Sequence, residues 1–133
     1  MMRTEEVRVT FKTSDVSEFI KVMDERNPIY ESVEKAQSYG FTSIPLPPTM
    51  PLIVYKQLDI PWTLTEPVIH RNQECKYHHQ MYINQTYTAS IRLDEQIDRK
   101  SYCIIKHSLL LFDDQQNLCF EGIYQIVCGG VVI

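Results

Sequence analysis

The sequence has no run of lysines and arginines, and its formal net charge is −4. Proteins that grip phosphate backbones do so with clustered cations, so nucleic-acid binding is not expected. A long apolar run is also missing. The best candidate, Ile44 to Tyr55, is short and broken by Pro45, Pro47, Pro48 and Pro51, which excludes a bilayer-spanning helix. The N-terminal stretch "MMRTEEVRVTF" carries acids where a secretory signal needs an apolar region, so the expected location is the cytoplasm. No G-x-G-x-x-G, P-loop or G-x-S-x-G is present, which removes the sequence marks of dinucleotide binding, Walker-type phosphate binding and the serine-hydrolase elbow. The four cysteines, Cys75, Cys103, Cys119 and Cys128, are widely spaced with no C-x-x-C pair. In a cytosolic chain they are expected to be buried thiols rather than disulfides or metal ligands. Nothing beside them supplies the base that a cysteine nucleophile needs.

What remains is an ordinary globular composition, 44% hydrophobic and 23% charged over 133 residues, enough for one domain spanning 1–133 with one core. The first half mixes helix signals with prolines. Val7, Val9 and Phe11 alternate with polar residues in a short strand. Ser14 and Asp15 open a helix whose Val16, Phe19, Ile20 and Met23 fall on one apolar face, and Pro28 ends it near Glu25 or Arg26. A second helix is expected from Glu31 to Tyr39, stopped by Gly40. A stiff "PLPPTMP" loop follows, then a short helix over Met50 to Leu58.

The second half reads as strands. Thr65 to Tyr77 is weakly patterned, whereas "TYTASIRL" alternates cleanly from Thr86 to Leu93. Ser101 to Phe112 is nearly all apolar, as in a strand covered on both faces. "DDQQN" is a turn, and Leu118 to Cys128 is the last strand, with Gly122 as a possible bulge. Long antiparallel strands at meander spacing, preceded by helices, predict an α+β fold in which a curved sheet wraps a helix.

Few side chains mark chemistry. His78 and His79 resemble a metal pair, but neighbours on a strand point to opposite faces, so one surface and one half-buried histidine are expected instead. His70 and His107 are isolated in predicted strands. Glu25, Asn27 and Tyr30 differ, because they sit in the break between two helices, where side chains can converge. A carboxylate can act as general base, an Asn amide can orient water or a carbonyl, and a tyrosine, with a reference pKa of about 10, donates a hydrogen bond more readily than it shuttles protons. The same residues equally describe an Asn-Pro turn capping the next helix.

The stretch "DERNPIYESVEKAQSYGFTSIPLPPTMP" (24–51) resembles the signature of MaoC-like dehydratases and (R)-specific enoyl-thioester hydratases, which have a hot-dog fold. It is most similar to their N-terminal, fungal fatty-acid-synthase-like (FAS1-like) dehydratase halves, which typically carry "NP[IL]Y", a "YG" helix end and an "APPT"-like loop. The likeness extends more weakly through "ECKYHHQMYINQTYTASIRL" to the last two strands. In the catalytic hydratases the motif reads Gly-Asp-x-Asn-Pro-[Ile/Leu]-His. Its Asp and His hold the water that adds across the double bond of an acyl thioester, and a glycine N–H in a His-Gly loop polarises the thioester carbonyl. Aligned on Asn27-Pro28, Asp24 falls on the glycine, Glu25 on the Asp and Tyr30 on the His, while the His-Gly position falls near Pro47-Pro48.

Each departure has a physical meaning. Glu25 keeps the carboxylate but displaces it by a methylene, and misplacement by about 1 Å costs up to roughly 10²-fold. Tyr30 lacks the imidazole that titrates near neutrality. Pro48 has no N–H to donate to an oxyanion, which leaves a neighbour such as Thr49 as the substitute. The resemblance therefore implies Glu25, Asn27 and Tyr30 as candidate catalytic residues and Pro48, Thr49 and Met50 as substrate-binding ones. Met50, Tyr55 or Trp62 would set acyl length. It implies no metal or cofactor. The expected ligand is an acyl-CoA or acyl-ACP thioester, and the expected assembly is a homodimer or a heterodimer with a second hot-dog subunit. Three functions fit: an enoyl-thioester hydratase or 3-hydroxyacyl-thioester dehydratase, a non-catalytic acyl-binding subunit of such an enzyme, and an acyl-thioester thioesterase.

Overall fold

The computed structural model describes residues 2–133. Its strands are β1 (Val7–Thr10), β2 (Thr63–Tyr77), β3 (Thr86–Asp98), β4 (Cys103–Phe112) and β5 (Leu118–Val132). Its α-helices are α1 (Thr13–Val22) and α2 (Val33–Ser38), with 3₁₀ helices at Pro28–Tyr30 and Met50–Gln57. The strands form one antiparallel sheet in the order β1-β3-β4-β5-β2. The meander β3-β4-β5 is its centre, with β1 and β2 at the edges. This is the α+β arrangement expected, a curved sheet around a helix.

The helix at the centre is Met50–Gln57. Met50 and Val54, four residues apart, are completely buried, and Leu58 follows them inward. Pro51 stands in its first turn, where a missing N–H is harmless and the fixed φ favours the helix. Tyr55 lays its ring 5.5 Å from His107 of β4 and 5.0 Å from Tyr124 of β5. The opposing sheet face comes from strand alternation. Tyr87, Ala89, Ile91 and Leu93 of β3 are buried, as are Phe120, Tyr124, Ile126 and Cys128 of β5. Leu109, Leu110 and Leu111 of β4 are all buried, as a strand covered on both faces requires. The four cysteines are free thiols, and Cys103 and Cys128 are cross-strand partners.

Several expectations change. Gly122 is not a bulge: it pairs in register with Leu109 and Cys75. Its lack of a side chain admits the central helix, since a Cβ there would lie 2.9 Å from Leu52 Cδ2. Helix α1 stops at Val22, before proline would end it, because Asp24 turns into the left-handed region at φ 51°. Its predicted apolar face is only partly used: Val16 is buried, Phe19 and Ile20 are half-buried, and Met23 is exposed. Helix α2 is shorter than expected because Ser32 caps it, accepting from the Lys35 N–H. Gly40, at φ 97°, follows its end. Strand β5 runs four residues beyond Cys128 to Val132. Strand β2 ends at Tyr77, so His78 and His79 lie in the loop to β3 and escape the strand alternation that separated them.

Candidate active site

The break between α1 and α2 is held by its own side chains. Glu25 Oε1 accepts from the backbone N–H groups of Arg26 (3.1 Å) and Asn27 (3.0 Å). Asn27 Oδ1 accepts from the Ile29 N–H at 3.2 Å and so caps the Pro28–Tyr30 turn, satisfying a donor that the turn leaves free. Glu25 and Asn27 stay exposed, while Ile29 and Tyr30 turn half-buried toward the body of the protein.

There they form one wall of a cavity of about 420 Å³, together with Phe41. The second wall is the proline-rich segment, Pro45 to Pro48 and Pro51. The third is the loop after β2, Tyr77 to Met81. The last two walls are joined. Leu46 N–H donates to Met81 O at 2.9 Å, Ile83 N–H to Ile44 O at 3.2 Å, and the Tyr77 hydroxyl to Pro48 O at 2.6 Å. The histidine pair is fixed through its backbone, both N–H groups donating to Cys119 O, at 2.8 Å from His78 and 3.4 Å from His79. His78 Nε2 lies 3.7 Å from Glu121 Oε2.

The two phenols at the cavity are hydrogen-bonding groups rather than bases. Burial, and then the nearby Glu25 carboxylate, raise the Tyr30 hydroxyl above its usual value. Burial, and then Cys75, do the same for Tyr77. Both phenols therefore stay protonated near neutral pH and can only donate or accept hydrogen bonds. Among the described residues no group of three or more His, Cys, Asp or Glu is placed to hold a metal.

Of the six residues singled out from sequence, Tyr30 and Pro48 line the cavity. Glu25 and Asn27 brace the turn behind it. Thr49 is exposed and its carbonyl accepts from the Leu52 N–H. Met50 is fully buried in the core, its N–H donating to Pro47 O. Tyr77, His78, His79 and Gln80 were not anticipated at the site. The dipeptide His-His is the sequence signal for them, and it is masked as long as β2 is taken to continue past Tyr77.

A second polar cluster lies under the central helix. Tyr55 OH and His107 Nε2 are 3.1 Å apart, and the rings of Trp62 and Tyr124 pack against the imidazole. Burial, reinforced by His70, lowers His107 to about 4, so it is neutral at physiological pH.

Over residues 2–118 the sequence matches the family described as "FAS1-like, dehydratase domain region". The chain belongs to that family. Its fold is shared with MaoC-like dehydratases and (R)-hydratases of known structure. The HadBC (3R-hydroxyacyl-ACP dehydratase) complex of Mycobacterium tuberculosis superposes with a TM-score of 0.79 at 16% identity, covering 95% of this chain and 94% of that one. The ChsH1-ChsH2 complex of the same organism gives 0.77 at 15%, covering 95% and 88%. The (R)-hydratase of A. caviae involved in PHA biosynthesis gives 0.74 at 14%, covering 95% and 96%. At such identities the likeness carries the hot-dog fold alone. No curated protein matches this FAS1-like dehydratase chain.

Proposed function

We propose that this FAS1-like dehydratase chain works on 2-enoyl or 3-hydroxyacyl thioesters of coenzyme A or acyl carrier protein, adding or removing water. The observation that carries the reading is the cavity itself. The family's signature segment supplies one wall through Ile29 and Tyr30, and the proline loop that follows it supplies another. Apolar Phe41, Leu46, Pro51 and Met81 suit an acyl chain, and the Tyr30 hydroxyl offers a hydrogen bond to a thioester oxygen or to water. Thr49, next to Pro48, has the amide that proline lacks. The test is direct. The purified chain is mixed with a 2-enoyl-CoA and loss of the conjugated thioester absorbance is followed, while calorimetry measures binding of an acyl-CoA. Saturable binding with turnover is expected, and absence of both would remove the proposal.

A second reading has its own support. Glu25 Oε1 is engaged by two backbone amides, and proline occupies the usual oxyanion position, as in a subunit that binds the acyl group while a partner supplies catalysis. Strand β2 also suits pairing, being bonded to β5 alone and exposed along nearly all its 15 residues. In this reading the cytoplasmic assembly is a heterodimer with a second hot-dog chain, whereas an enzyme active by itself would form a homodimer. Binding without turnover, and activity on adding a hot-dog hydratase with intact Asp and His, would favour the subunit.

A further inference from the structure

The signature segment brings no imidazole to the cavity, yet two, His78 and His79, line it from elsewhere in the chain, and of these His78 lies beside a carboxylate. We propose that His78, oriented by Glu121, is the proton-transferring residue of this site, replacing the imidazole absent at position 30. The inference rests on the hydratase reading above.

Three observations carry it. His78 lines the same cavity as Tyr30, although the two are far apart in sequence. Its backbone is held by the 2.8 Å bond to Cys119 O, so the ring is delivered from a fixed loop rather than a loose one. The Glu121 carboxylate, in the interior of β5 and mostly buried, lies 3.7 Å from Nε2. At 3.7 Å this is a close polar contact rather than a hydrogen bond, and it favours the ring orientation that turns Nε2 toward β5. With Nε2 toward Glu121, Nδ1 is the nitrogen left to exchange a proton. Glu121 does not line the cavity, so its role is positioning.

In hydration, His78 takes a proton from water as the water oxygen bonds to the β-carbon. The double-bond electron pair shifts toward the α-carbon and the thioester carbonyl. The α-carbon then takes a proton from the imidazolium, which returns His78 to its neutral form and completes the addition of H and OH. Dehydration is the reverse, and no other reactant is needed.

The experiment compares the full-length chain with His78→Ala, His78→Asn and Glu121→Gln, using 2-enoyl-CoA turnover, acyl-CoA calorimetry and thermal unfolding. Both His78 variants are expected to lose about 100-fold or more in kcat, with acyl-CoA affinity changed less than about threefold. Added imidazole should restore part of the His78→Ala activity, which a structural role would not allow. Glu121→Gln should lower kcat by a smaller factor, and Glu121→Asp should recover part of the loss. His78→Asn decides the matter if the alanine variant fails to fold. Unchanged kcat in a folded His78 variant would overturn the inference and leave the hydratase reading intact. A wild-type chain that binds acyl-CoA but turns nothing over alone would also overturn it, in favour of the subunit reading. Loss of both binding and turnover in the wild type would remove the hydratase reading itself.

Discussion

At position 25 a carboxylate that sequence alone makes a candidate base is engaged in holding its own turn. Glu25→Ala removes the acceptor for two backbone N–H groups. Because the site is exposed, the expected loss is about 1 kcal/mol, comparable to a lost helix cap. Denaturant unfolding should show that loss, while calorimetry shows acyl-CoA affinity within about threefold of wild type. His107 leads to a different experiment. Burial lowers it from the usual 6.5 to about 4, so within that window the unfolded chain binds a proton that the folded chain refuses. The stability contributed by the neutral ring is therefore complete above about pH 6.5 and is lost as pH falls toward 4, on the order of 3 kcal/mol in all. Replacing His107 by Leu should flatten this part of the acid profile, measured by chemical denaturation across the window, even though it strands the Tyr55 hydroxyl.

At the scale of elements, the meeting of the Met50–Gln57 helix with β5 depends on Gly122. In Gly122→Ala the new methyl meets Leu52 Cδ2 at 2.9 Å and Phe120 Cε1 at 3.2 Å. Because Leu52 is half-buried and its tip can swing away, the expected cost is about 1 kcal/mol, rising toward about 3 kcal/mol for Gly122→Val. Leu52→Ala should relieve part of this, and a double-mutant cycle in denaturant measures the coupling. The strands themselves were legible from sequence, because alternation in β3 and the apolar run of β4 record burial residue by residue. The central helix was visible only as a short segment after prolines. Nothing in its local pattern shows that Met50 and Val54, rather than the face of α1, fill the centre. Gly122 was legible as special but not in its reason, which lies in a helix far away in the chain. The cavity was half legible. Tyr30 and Pro48 belong to one continuous motif, but His78 reaches them through chain reversals that no periodicity encodes. Strand alternation holds only as far as Tyr77, where β2 ends.

For the whole molecule, the asymmetry of the sheet is decisive. One edge, β1, is four residues long, and the other, β2, is 15. A long open edge with exposed Val68 and Ile69 invites another strand. The protein is therefore expected to sediment as a dimer, either of itself or with a second hot-dog chain. A Val68→Lys/Ile69→Lys variant should shift it toward monomer in analytical ultracentrifugation, with the thermal transition of the isolated fold largely retained. The segment from Pro45 to Pro51 gives the molecule another property. Its four prolines carry no amide hydrogen and have φ already fixed, so little further ordering of that side of the cavity is expected when a ligand binds. Ligand-dependent hydrogen exchange will be nearly silent there and should report on residues 77–81 instead. Under the proposed acyl-thioester function, differences in acyl length are expected to be accommodated by Tyr77, Gln80 and Met81 rather than by the prolines opposite, whose φ angles are fixed.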